Sequence, residues 1–163
     1  MSVRNYSEMG ENLYKIISRL MANDNLVKLL YYTDHDPFSH PALTEAETRE
    51  KVFSKLIKFI PLVGPKETDN SIIVLRVASA KNIQWNQEFQ NITISIEIFV
   101  PMTQWVIKNE NLRPFLIMGE IQKSLANKTI NGMGKILGGD FTLNFLTEEI
   151  SCYEQIFTIQ TYD

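Results

Sequence analysis

FQNITISIEIFV, residues Phe89–Val100, decides the fold. In it Ile92, Ile94, Ile96, Ile98 and Val100 alternate with Asn91, Thr93, Ser95 and Glu97. Side chains on a strand point to opposite faces in turn, and β-branched residues suit a pleated surface, so the aliphatic set shares one face. A strand of this kind packs one face on a core and turns the other to water or a polar partner. That is the pattern of antiparallel sheets, not of parallel sheets covered on both sides. It specifies sheet and core, and no reaction.

Working outward, SIIVLRVASA (Ser71–Ala80) reads as a strand with Ile73, Leu75 and Val77 on one face. It pairs with Phe89–Val100 as an antiparallel hairpin across a long loop, 81–87, which holds Trp85. Pro101 ends the second strand, and MTQWVIK continues it irregularly, with Trp105 and Val106. Phe141, Leu143 and Phe145 alternate with Thr142 and Asn144 as a third strand, and Ile150–Tyr162 is a fourth. The glycines of NGMGKILGGDF are expected in turns, with a hairpin turn through Gly138 and Gly139.

Helical spacing appears upstream and between the strand pairs. Leu13, Ile16, Ile17 and Leu20 predict a helix over 9–22, and Asn23-Asp24-Asn25 interrupts it before a second over 25–31. Thr44 and Glu47 match a capping box for a helix over 45–57, although KLIKFIPLV also suits an extended edge segment. Pro114 is acceptable in a first turn, and Phe115, Met118, Ile121, Gln122 and Leu125 form a stripe, predicting a helix over 112–127. The order α-α-β-β-α-β-β implies an α+β fold: a small, mainly antiparallel four-stranded sheet with helices packed on one face. The 163 residues fit a single domain, with an N-terminal arm (1–10) and two contact arms, loop 33–43 and glycine-rich loop 128–139. Segment 81–88 is a further expected arm.

Composition narrows the function. Hydrophobic content of 44% and charged content of 21% are those of a globular protein. A net charge of −3 opposes broad nucleic-acid binding, which depends on neutralising phosphates. No apolar run approaches the ~20 residues of a membrane-spanning helix, and the first residues lack a signal-peptide core. The lone cysteine, Cys152, excludes an internal disulfide and reads as a small buried thiol.

The most site-like stretch is Asp34-His35-Asp36 with His40, which holds both histidines of the chain. Carboxylate and imidazole can ligate a divalent metal, but no helical spacing aims these four together, and loop chemistry explains them as well. Gly-rich NGMGKILGGD lacks the phosphate-loop spacings. Glu148 and Glu149, adjacent on an extended segment, point in opposite directions. No nucleophile, base and oxyanion donor can be assembled, so no catalytic, cofactor-binding or metal residue is assigned. Tyr31, Tyr32, Asp34, His35, Phe38, Trp85 and Trp105 are candidate interface anchors, since aromatic residues concentrate binding energy.

LLYYTDHDPFSHPAL (Leu29–Leu43), the two central strands, LRPFLIMGEIQKSL, GGDFTLNFL and CYEQIFTIQTYD follow one another in an order that resembles the tail terminators and related neck proteins of long-tailed bacteriophages. The resemblance covers nearly the whole chain and rests on element order. It implies a virion protein, assembled in the host cytoplasm, that forms a closed and commonly hexameric ring. Its partners would be itself, the tail tube protein and the head connector or neck protein, with the tail sheath as a further contact and DNA passing through the lumen. No cofactor, catalysis or membrane is implied. A polar strand face would then line the channel, and Glu88, Glu97 and Glu154 are the candidate lumen residues. The alternatives are another neck or baseplate component, a metal-dependent enzyme using Asp34, His35, Asp36 and His40, and a small-ligand or peptide-binding module.

Overall fold

Every aliphatic residue of the Ile92–Val100 row is buried in a computed structural model of the chain. The structure describes residues 9–59, 69–83, 86–130 and 134–161, with backbone alone at 82, 83, 86–90 and 161. Its elements run α1 (Met9–Met21), α2 (Asp24–Tyr31), α3 (Glu45–Lys51), β1 (Ile57–Lys58), β2 (Ile72–Ile83) and β3 (Asn86–Pro101). They continue with β4 (Val106–Ile107), β5 (Asn111–Leu112), α4 (Arg113–Leu125), β6 (Thr129–Ile130), β7 (Gly134–Leu146) and β8 (Ile150–Thr161). Short 3₁₀ turns lie at Pro37–Ser39 and Met102–Gln104.

The fold is α+β, as its alternation predicts, but the sheet has six strands instead of four, in the order β1-β2-β3-β8-β7-β6. The two additions, β1 and β6, are two residues each and flank the expected four at either edge. Pairs that short leave no periodic trace in sequence. β2, β3, β8 and β7 are antiparallel throughout, and only β1 runs parallel to its neighbour. β4 and β5 pair separately; β4 lies within the segment read as an irregular continuation of β3, and β5 just before α4.

Register explains the burial. Ile92, Ile94, Ile98 and Val100 of β3 stand opposite Ile159, Phe157, Tyr153 and Ser151 of β8. This face meets α4: Gln155, opposite Ile96, donates from Nε2 to the carbonyls of Met118 and Gly139 at 3.2 and 3.1 Å. α1 and α2 pack on α4. Asn23 ties these helices together. Its Oδ1 caps α2 by accepting from the Leu26 N–H, while its amide donates to Glu120 and Ser124 on α4.

Several boundaries move. The capping box of Thr44 and Glu47 is present, but α3 stops at Lys51 and the chain turns, with Ser54 at φ 60°, into the edge strand β1. The extended alternative for this segment therefore holds at Ile57–Lys58. The hairpin connection 81–87 is not a long loop, since β2 runs to Ile83 and β3 starts at Asn86; Trp85 lies outside the described residues. The described residues of segment 81–88, namely 81–83 and 86–88, are strand. Segment 128–139 is likewise strand over most of its length, in β6 and the start of β7, instead of a glycine-rich loop.

Gly138 and Gly139 make no hairpin turn. They form a bulge inside β7, at φ 103° and 108°, where the register to β8 slips between Gly138 and Asp140. A Cβ on Gly138 would lie 2.8 Å from the Ile156 carbonyl oxygen.

Candidate functional site

The loop after α2 is organised by a residue that sequence patterning had placed only at a helix start. Arg113, at the first turn of α4, is fully buried and has no carboxylate partner at bonding distance among the described residues. Its guanidinium instead meets four main-chain carbonyls. Nε donates to Gln104 at 2.9 Å, Nη1 to Leu29 at 2.5 Å and Tyr32 at 2.9 Å, and Nη2 to Asp34 at 2.5 Å. Desolvation lowers its pKa to about 10, opposed by the nearby Asp34 charge, so it stays cationic at neutral pH. A rigid fork of five donors suits this task where a lysine would not.

Around that cation the loop closes on itself. Asp34 Oδ2 lies 2.5 Å from His40 Nε2, and Oδ1 accepts from the Asp36 N–H at 2.9 Å. The Asp36 N–H, together with His40, holds the Asp34 carboxyl below the usual carboxylate range. Asp36 faces Lys108 at 3.3 Å, and the Lys108 N–H donates to the His35 carbonyl at 2.7 Å. Tyr32 stacks on His40 at 4.2 Å and donates to the Pro41 carbonyl. Asp34 thereby pairs with His40 and Asp36 with Lys108, while His35 takes part through its main-chain carbonyl. No three His, Cys, Asp or Glu groups among the described residues converge to hold a metal ion.

The expected interface set divides. Tyr31 packs against the core edge-to-face with Tyr32, with Lys51 Nζ 5.5 Å above its ring. Phe38 is exposed, and Trp105 is half-buried with its Nε1 donating to Ser151 Oγ at 2.9 Å. The rings of Trp105 and Phe115 lie edge-to-face at 6.5 Å. Phe115, expected on the buried stripe of α4, is 43% exposed. Arg113, Pro114, Ile117 and Glu120 take its place, along with the expected Met118, Ile121 and Leu125, while Gln122 is exposed.

The sheet face opposite α4 carries the expected lumen residues. Glu97 and Glu154 are cross-strand partners, and Arg76 from β2 forms ion pairs with both, closest to Glu97. Like charges directly opposite destabilise a sheet, so the arginine offsets their repulsion. Ser95 Oγ donates to Glu154 at 2.8 Å, and the buried Cys152 thiol points at Glu97 at 3.6 Å. Burial raises that thiol to about 11. Toward one end the face turns apolar, with Ile72, Phe99 and Cys152 buried and Phe145 6.2 Å from Phe99. The side chain of Glu88 lies outside the described residues.

Sequence reading missed a third surface. Phe141 and Leu143, read as alternating residues of a strand, are 49% and 51% exposed. They project on the α4 side of β7, where Phe141 meets Phe115 at 6.0 Å and Tyr153 at 5.7 Å. Leu146, Leu112 and Val106 are exposed as well. Beside it the outer edge of β7 from Asp140 to Leu146 has no strand neighbour among the described residues, since β6 pairs only with Gly134 and Lys135.

The model of the YomW family matches residues 23–159, most of the chain, including α2, the Arg113 loop and the strands of the main sheet. The chain belongs to the YomW family. That membership makes it a phage-related protein. The match begins at Asn23, the cap of α2, and leaves out α1. No curated protein matches the chain. No helix among the described residues is long and apolar enough to cross a membrane.

Proposed function

We propose that this YomW-family chain is a structural protein of a long-tailed phage particle: a tail terminator whose ring caps the tail tube and docks it to the head connector. One observation carries this reading. The sheet keeps its helices on one face and presents on the other a row of polar groups, with Glu97 and Glu154 side by side and one arginine, Arg76, between them. Two carboxylates against one guanidinium leave this stretch of the face net negative, with Lys81 and Lys135 on the same face toward its other end. Turned toward a channel, such a strip repels phosphate and lets DNA slide without adhering. Phage-related family membership and the α+β fold support the same class.

A ring arises from head-to-tail contacts that close on rotation, so each copy uses two different patches. The loop held by Arg113, which offers Phe38 and the Tyr32–His40 stack, is one such surface. The test is co-purification with the tail tube and connector proteins of the same phage, followed by negative-stain imaging and native mass measurement. Closed rings, six-fold by expectation, seated on tube ends support the reading. A chain that stays monomeric at all concentrations and binds neither partner overturns it.

A further inference from the structure

The two ends of β7 carry opposite, unmatched charge. At its start, where Gly134 pairs with Ile130, a groove of about 580 Å³ opens between β6 and the outer side of α1. Lys15 and Arg19 line it, together with the half-exposed Tyr14 and the buried Ile130. Glu11 is the carboxylate in its wall, and exposed Lys128 directly precedes Thr129 at its rim. At the far end of the strand, roughly 35 Å away at about 3.3 Å per residue, β7 turns into β8 through Thr147, Glu148 and Glu149, all exposed. Arg19, Lys128 and both glutamates form no ion pair among the described residues. The turn is also preformed. The Thr147 hydroxyl accepts from the N–H groups of Glu149 and Ile150 at 3.2 and 3.0 Å, and the Thr147 N–H donates to the Ile150 carbonyl at 2.9 Å. The Met102 N–H donates to the Glu149 carbonyl at 2.8 Å, which ties the turn to the 3₁₀ segment that Arg113 grips at Gln104.

We infer that the β7–β8 turn of one copy seats in the α1–β6 groove of the next. Glu148 and Glu149 then meet Arg19, Lys15 and Lys128, and Leu146, exposed just before the turn, meets Tyr14 and Ile130. The occupant is a second copy of this chain because the turn supplies what the groove lacks: two carboxylates for its cations, beside one aliphatic side chain. A turn already held by its own hydrogen bonds loses little freedom on docking, and the groove has the size of a ligand site. Opposite charges brought together also set the register of the contact. Turn and groove lie at opposite ends of one strand, so the contact is head-to-tail, the kind that closes a ring. The inference rests on the ring reading and names its two patches, the turn at the Arg113 end and the groove at the other.

Charge reversal in the full chain gives the test. Glu148→Lys with Glu149→Lys, and separately Lys15→Glu with Arg19→Glu, should each raise the dissociation constant for self-association, measured by sedimentation, at least about tenfold by setting like charges together. An equimolar mixture of the two variants should regain association, because the reversed turn of one then meets the reversed groove of the other. Glu50→Lys, exposed on α3 and part of neither patch, should change nothing. Circular dichroism checks that each variant folds. Reversals that leave association unchanged, or a mixture that stays as weak as its parts, overturn the inference. So does a wild-type chain that is monomeric at every concentration. Rings on tail tubes that form despite either reversal sink this contact and leave the terminator reading standing. Reversal-sensitive assemblies that bind neither tube nor connector do the opposite.

Discussion

Arg113 holds together three segments that lie far apart in sequence: the end of α2, the loop through Asp34 and the turn at Gln104. Arg113→Met keeps much of the volume but leaves four carbonyls without their donor. At about 1–3 kcal/mol for each buried polar group left unpaired, a loss of about 3 kcal/mol or more is expected in urea denaturation, allowing for partial rescue by water. Arg113→Lys should recover only part of it, since one ammonium cannot span the fork. A loss below about 0.5 kcal/mol would contradict this role. Cys152 gives a second residue-scale test. Burial raises its folded pKa to about 11 from an ordinary value of 9.0. The unfolded thiol therefore ionises first as pH rises. Stability from this group is complete below about 9 and is lost progressively between 9 and 11. At pH 8 the folded chain should resist alkylation at Cys152 and react only at the rate of opening. Rapid labelling of native protein would contradict that burial.

Among the elements, β7 departs furthest from its pattern. Glycine clusters normally mark turns, yet here Gly138 and Gly139 let one long strand change register against β8 without ending. Gly138→Ala would put a Cβ at a positive φ and against the Ile156 carbonyl. The expected cost is about 1–3 kcal/mol by thermal denaturation. The same substitution at Gly119, where nothing lies within 4 Å, should be neutral or mildly stabilising because alanine favours helix. Equal effects at the two glycines would argue against the bulge. Alternation also misleads about burial in β7. Phe141, Leu143 and Phe145 do alternate, but a second slip between Leu143 and Phe145 puts Phe145 on the opposite face, opposite Cys152. Periodicity records which residues share a face only while the register is unbroken. It cannot say whether a helix covers that face at the strand's end, and α4 leaves this end open.

Across the whole molecule the three long antiparallel pairs, β2–β3, β3–β8 and β7–β8, form one block, with the two-residue strands appended. Backbone opening should follow that division. Amides of β3 and β8 are expected to exchange slowest, at the rate of global unfolding, and those of β4, β5 and β6 fastest. Uniform protection across all strands would contradict a central β3–β8 pair. The sequence alone determined β3 as a half-buried strand, because every second residue from Ile92 to Val100 must leave water and only a strand puts them on one face. It also determined the caps at Asn23 and Thr44, where a side chain and a backbone N–H within three residues suffice. These are short-range matters of period and local hydrogen bonding. Tertiary structure alone decided the rest. Arg113 became a buried hub because carbonyls 9 to 84 residues away converge on it. Glu97 and Glu154 became neighbours through register, and Phe115, Phe141 and Leu143 became surface because no described residue packs over them fully. Which residues meet across a sheet, and which faces stay uncovered, depends on long-range packing. No local pattern encodes it.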